Sequence, residues 1–238
     1  MKKRYLRLAA LTAGVLLTAQ TGLSAAALST FDAAYYAAQY PDVAAVCSND
    51  EGALLRHYLD HGIDEGRKPS ADGIAGDDEL SLTEAQFSSV WSPVAINQLA
   101  HYQSHRRKCP DEEFAQASQE ALKVVTPLAL MSREDQLYGI ASALRAVVDD
   151  GSMAYSMEAN HYNDPYGYFV LRTASCAGCA RATALCLDIL GIPYEHVNEN
   201  QYSHQWCRVP MEDGSYWICD AFGLYCGPEP EPYQHPYF

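Results

Sequence analysis

The chain has 238 residues, and 16 Lys and Arg stand against 30 Asp and Glu, a formal net charge of −14. Four of the basic residues (Lys2, Lys3, Arg4 and Arg7) lie in the first 27 positions, so the remaining 211 residues carry 12 basic and 30 acidic side chains, a net charge of −18. That balance excludes nucleic acid as a partner, because phosphate binding needs clustered Lys and Arg, and it argues against an anionic membrane surface.

Residues 1–27 read as a signal peptide: a basic start, an apolar stretch over 8–17, and small residues ending in Ala25, Ala26 and Ala27. The apolar stretch is too short for a span of about 20 residues, and no later segment is apolar enough to cross a membrane. The chain is therefore expected to be secreted or extracellular. Export permits disulfides among its eight cysteines without requiring them. Six of the eight fall at or after Cys176, which points to the C-terminal half as the place of any chemistry.

Residues 28–70 are predicted to form a small helical unit. Phe31, Tyr35 and Tyr36 begin a short helical stripe, Pro41 starts another turn, and Leu54, Leu55, Tyr58 and Leu59 are spaced for an amphipathic helix that Gly62 stops. Forty residues of this kind bury little by themselves. Residues 71–109 read as a linker with one short helix, for which Ser81 and Glu84 would form a capping box. His105, Arg106, Arg107 and Lys108 make a local basic cluster of the sort usually found on a solvated face.

From residue 110 the pattern is helical again. Phe114, Leu122 and Val125 mark one helix, and Ser132 caps a second in which Leu137, Ile140 and Leu144 recur. Residues 152–170, rich in Tyr and Asn, read as a long surface loop. A third helix is expected from Cys176, with small residues for close packing, stopped by Gly191 and Pro193. After a short strand at 192–197 come two strands of a hairpin around Asp213-Gly214. If His204 lies opposite Asp220, Trp206 faces Ile218 on the same side, while Cys207 and Cys219 are diagonal neighbours on the other. Residues 227–238, with four prolines, read as a tail.

Cys176 sits at a helix start, where unpaired N–H groups and the helix dipole favour a thiolate. His204 could take its proton, and Asp220 could fix the imidazole tautomer and stabilise the imidazolium. Three residues in that arrangement make a Cys-His-Asp acyl-transfer site. The Cys176 N–H is an expected oxyanion donor. Tyr168 and Trp206 are candidates for a cleft wall or a further donor.

These motifs resemble the transglutaminase-like superfamily, the papain-related group of Cys-His-Asp proteins. The matching residues are Cys176-Ala-Gly178-Cys-Ala180, then Gly191-Ile192-Pro193, His204 with Trp206, and Asp213-Gly214 through Trp217 to Asp220. They keep the family's order over about 45 residues, within a domain predicted at 110–226. Two departures are the Ala174-Ser175 pair before the nucleophile and one extra residue before Trp217. The resemblance implies an α+β fold, with the nucleophile-bearing helix packed on an antiparallel sheet and preceded here by a small all-α unit. It implies attack on peptide or side-chain amides through a thioester, passed to water (protease or amidase) or to an amine (crosslinking), with a protein or peptide as substrate. Residues 31–70 resemble in turn a bacterial extracellular repeat of the form FDxxYYxxxYPDV…HYxxxGxxEGR, which implies cell-surface or cell-wall association.

Other readings of the same residues stand beside this one. Cys176 and Cys179 form a C-x-x-C pair, the mark of thiol-disulfide oxidoreductases. Cys176, Cys179, Cys207, Cys219 and His204 are zinc-ligand types, though at no zinc-motif spacing. A degenerate site would leave a non-enzymatic extracellular binding module. No sequence feature indicates a cofactor, and no ordered acidic loop suggests calcium.

Overall fold

In a computed structural model of the chain, the residues described are 28–198, 204–223 and 225–229. The segment read as a signal peptide, 1–27, the polar turn at 199–203 and the tail from residue 230 lie outside them. The chain divides after Ser92 into two compact units.

The first unit is helical. Helix α1 (Ala33–Gln39) starts where the Asp32 side chain accepts the Tyr35 N–H at 3.0 Å, and α2 (Pro41–Cys47) carries proline at its first position, where the missing N–H has no partner to lose. Helix α3 (Glu51–His57) is capped by Asp50 and runs on into a wider π-helical turn, Tyr58–Gly62. Their shared core is aromatic. Tyr36 and Tyr58 are fully buried, with rings edge-on at 5.6 Å, and the Tyr36 hydroxyl lies 3.1 Å from His57 Nδ1. Gly62 is glycine because a Cβ there would stand 2.5 Å from that hydroxyl. Arg67 lies over the Tyr40 ring at 4.6 Å and pairs with Asp42 at 3.4 Å. Phe31, Tyr36, Val43, Tyr58 and Gly62 of the repeat-like pattern are thus packing positions.

Residues 71–80, read from sequence as linker, are folded onto this unit. The Tyr58 hydroxyl donates to the Asp77 carbonyl at 2.7 Å, Leu80 is fully buried, and β1 (Ser29–Thr30) pairs in parallel with β2 (Leu80–Ser81). Helix α4 (Glu84–Val90) follows, with the capping box made by Thr83 and Gln86, not by Ser81 and Glu84. The Gln86 side chain closes the box and also donates to the Phe31 carbonyl at 3.0 Å and to Glu51 Oε1 at 3.1 Å. The helix thus begins two residues later than the sequence pattern suggests.

The second unit is α+β. Helices α5 (Tyr102–Arg106), α6 (Asp111–Val125) and α7 (Arg133–Asp149) precede a two-residue parallel pair, β3 (Ala154–Tyr155) with β4 (Thr173–Ala174). Then come α8 (Cys176–Leu190) and a sheet in the order β5 (Glu195–Val197), β6 (Trp206–Pro210), β7 (Tyr216–Asp220), β8 (Tyr225–Pro228), antiparallel throughout. Gly227 and Pro228, read as tail, belong to the last strand. Helix α7 is capped by Ser132, and α8 ends at Gly191, whose φ of +72° only glycine adopts freely.

Helix α8 is the axis of this unit, with every residue from Ala177 to Ile189 buried. Even its acidic residue is internal. Asp188 accepts the His101 N–H at 2.9 Å and lies 3.0 Å from His101 Nδ1 and 2.8 Å from His105 Nε2. Burial works against that carboxylate, but the bonds from His105 and His101 outweigh it and hold its carboxyl below the usual range. His105 is therefore 1% exposed, and the basic cluster is not a uniformly solvated face. Nor is 152–170 wholly a surface loop, because Asp164, Gly167, Tyr168 and Phe169 are buried.

The hairpin register differs by two residues from the expected one. Cys207 is directly opposite Cys219, and Arg208 opposite Ile218, so Cys207 and Cys219 are a direct cross-strand pair where a diagonal was expected. Cys226 lies opposite Cys219 in turn, extending the row. A slip of two keeps every side chain on its predicted face.

Candidate active site

Cys176 occupies the first helical position of α8, and Ser175 is its N-cap. A capping serine ordinarily turns its hydroxyl onto the amides of the first turn. Ser175 does not. Its hydroxyl and its N–H both donate to the Tyr162 carbonyl, at 3.2 and 2.8 Å, and no side chain of its own caps the helix. The first-turn amides of Cys176, Ala177 and Gly178, which have no intrahelical acceptor, therefore keep their partial positive charge free of the Ser175 hydroxyl. Gly178 completes the contact: a Cβ there would stand 2.5 Å from the same Tyr162 oxygen.

His204 lies just ahead of β6 and is 8% exposed, while Asp220 ends β7 and is 3% exposed. They are not opposed in the ladder, yet Asp220 Oδ2 is 2.7 Å from His204 Nε2. The other carboxylate oxygen accepts the Gly223 N–H at 2.8 Å, which fixes the carboxylate plane. Cys176 is the other side chain close enough to act on the His204 ring. Burial alone would lower the imidazole pKa. The bonds to Asp220 and then to Cys176, with the charges behind them, overcome that and raise it from 6.5 to about 9.

Aromatic rings enclose the imidazole. Trp206 and Phe222 each have their ring centres 5.9 Å from it. Phe222 is 5.6 Å from Tyr155, whose phenol is raised by burial and then by Cys176. A small apolar pocket beside the helix start is lined by Val148, Met153, Tyr155, Tyr168, Ala174, Ser175, Cys179 and Phe222. Tyr168 contributes its ring to that pocket. Its hydroxyl donates to the Leu144 carbonyl at 2.5 Å from a fully buried position, so it is not free to meet an oxyanion.

Tyr155 and Phe222 were not singled out from the sequence. Phe222 lies two residues past Asp220, and Tyr155 reaches the site because the β3–β4 pairing sets it opposite Ala174. A two-residue strand leaves no periodicity to read.

Of the other cysteines, Cys109, Cys179, Cys186, Cys207 and Cys219 are buried, while Cys47 and Cys226 are half-buried like Cys176. Cys179, one turn beyond Cys176, is 1% exposed, and burial pushes its thiol well above the ordinary range. Cys207 donates to the Ala180 carbonyl at 3.3 Å, and Cys219 to that of Leu137 at 3.6 Å. No two of the eight are joined. His196 sits opposite Cys207 with Nε2 3.0 Å from Gln205 Oε1, and burial followed by the Arg181 charge lowers it to about 4. Among the described residues, the ligand-type groups close enough to share one ion are His101, His105 and Asp188, and Cys109, Glu113 and His161. Neither draws on Cys176, Cys179, Cys207, Cys219 or His204.

Comparison with protein-family models gives no match for this chain, and no curated protein matches it. Among the described residues no helix is long and apolar enough to cross a membrane.

Proposed function

We propose that the second unit is a cysteine-dependent acyl-transfer enzyme of the transglutaminase-like type, acting outside the cytoplasm on peptide or side-chain amides. One observation carries this reading. A buried imidazole joins a carboxylate, at 2.7 Å, to a cysteine at the start of a buried helix. The order of the Cys176, His204 and Asp220 motifs supports it, and the basic, apolar and small-residue pattern of residues 1–27 supports export.

The Cys176 sulfur, its proton held by His204, bonds to the amide carbon, and the carbonyl π pair moves to oxygen. That oxyanion meets the Cys176 N–H and the positive end of α8. When the tetrahedral adduct collapses, the C–N bond breaks and the leaving amine takes the proton from the His204 imidazolium. A thioester remains. Neutral His204 then removes a proton from water or from a primary amine, which attacks the thioester and returns Cys176 to its starting form. Asp220 orients the ring and stabilises its charged form throughout.

The test is an assay of amide-containing peptides with and without a labelled primary amine, reading released amine or ammonia and incorporated label. Turnover that disappears in Cys176→Ser supports the mechanism, and the label separates transfer to amine from hydrolysis. Turnover that survives in Cys176→Ser would remove Cys176 from the chemistry.

A further inference from the structure

Cys109, Glu113 and His161 bring a thiol, a carboxylate and an imidazole together, with their donor atoms all within 4.8 Å of one another. Glu113 Oε2 accepts a long hydrogen bond from the Cys109 thiol at 3.7 Å and lies 3.5 Å from His161 Nε2. The second separation is too long for a good N–H···O bond. Both are close to the edges of a zinc tetrahedron. With Zn–S of about 2.3 Å and Zn–O and Zn–N of about 2.0–2.2 Å, tetrahedral angles put S and O about 3.6 Å apart and N and O about 3.4 Å apart.

The far side of the imidazole is arranged to match. His161 Nδ1 is 2.8 Å from Asp164 Oδ2, and the other Asp164 oxygen accepts the Gly167 N–H at 3.0 Å. Asp164 is 5% exposed. A carboxylate only accepts, so Nδ1 carries a proton and Nε2 is the ring atom that faces Glu113, as in carboxylate–histidine–zinc sites; any proton on Nε2 leaves when the ion binds. His161 holds a left-handed backbone, φ +62°, uncommon in a residue with a Cβ. The second cluster, His101, His105 and Asp188, lacks this geometry. Its nitrogens stand 3.0 and 2.8 Å from the Asp188 oxygens, which are hydrogen-bond lengths.

We propose that Cys109, Glu113 and His161 bind a zinc ion, with water in the fourth position. The thiolate and the carboxylate balance the charge of the ion, and the Cys109 proton passes to solvent as the metal binds. Glu113 and His161 are half-buried, which gives the ion a way in. The ion ties the start of α6 to residues 161–164, and Tyr162 in that segment holds Ser175 through its carbonyl. Zinc here is a brace behind the cysteine helix, separate from the chemistry proposed for Cys176.

The full chain, loaded with zinc chloride and desalted, is assayed for metal by mass spectrometry, and its cobalt form is read by absorption. The expected result is about one equivalent of zinc in the parent and in Cys176→Ser, falling about tenfold in Cys109→Ser and in Glu113→Gln. Glu113 is partly exposed, so the second variant is the safer one to fold. The cobalt form of the parent should show a thiolate-to-metal charge-transfer band, which needs no variant at all. A parent that retains no zinc, a cobalt spectrum without that band, or metal lost from Cys176→Ser and kept by Cys109→Ser would each overturn the assignment.

Discussion

Ser175 gives its backbone N–H and its hydroxyl to a single acceptor, the carbonyl oxygen of Tyr162, at 2.8 and 3.2 Å. The residue before the cysteine is thereby anchored sideways to a loop, and the helix start is left without the usual serine cap. Removing the hydroxyl should loosen the anchor without unfolding the unit. Ser175→Ala is expected to lose about 1 kcal/mol of stability, measured in urea, and to lower turnover more than it lowers substrate binding.

Gly178 faces the same oxygen at a distance no Cβ tolerates. Gly178→Ala should push α8 and the Tyr162 segment apart and destabilise the protein by about 1–3 kcal/mol. The measurement is the denaturant midpoint. An unchanged midpoint would mean that the loop yields at no expense.

Asp220→Asn keeps the shape of the carboxylate and removes its charge. Turnover is expected to fall roughly a hundredfold or more, with Cys176→Ser falling to background. Equal activity in Asp220→Asn and the parent would show that the 2.7 Å contact is structural only.

His204 also predicts a pH dependence. Its folded pKa, about 9, lies above the 6.5 of the free side chain. Its stabilising contribution is therefore complete below about pH 6.5 and is lost as pH rises through 9. Thermal midpoints should decline across that window in the parent, and less in Asp220→Asn. Turnover that depends on the imidazolium should fall on the alkaline side near pH 9, and this limb should move to lower pH in the variant.

Native alkylation should sort the cysteines by enclosure. Cys176 is half-buried, whereas Cys179, Cys186, Cys207 and Cys219 are buried, and burial raises the Cys179 and Cys186 thiols. Peptide mapping should find label at Cys176 without denaturant and at those four only after unfolding. Label at Cys179 in the native protein would revive the C-x-x-C reading.

How far the sequence anticipates this structure depends on what each feature rests upon. Helix α8 was legible because its composition and its stop at Gly191 are local. The faces of the hairpin were legible too, since alternation alone decides which side a residue takes. The register was not. Slips of two leave alternation untouched, and Cys207 meets Cys219 directly because Pro210 pairs with Tyr216 and the turn closes from Met211 to Ser215. His204 still reaches Asp220 because the contact is diagonal, within range of a long side chain. Burial of His105 was invisible for another reason: its partner, Asp188, is 83 residues away in the chain.

A helix enclosed along its whole length has only its ends to offer the outside. Whatever α8 does for a ligand it does from the Cys176 end, and a change anywhere between Ala177 and Ile189 is read first as a change in packing. For the proposed enzyme, selectivity would then be written in the segments that converge on that end, around Tyr155, Tyr162 and Phe222. Those could be exchanged to redirect the protein while the helix itself stays as it is.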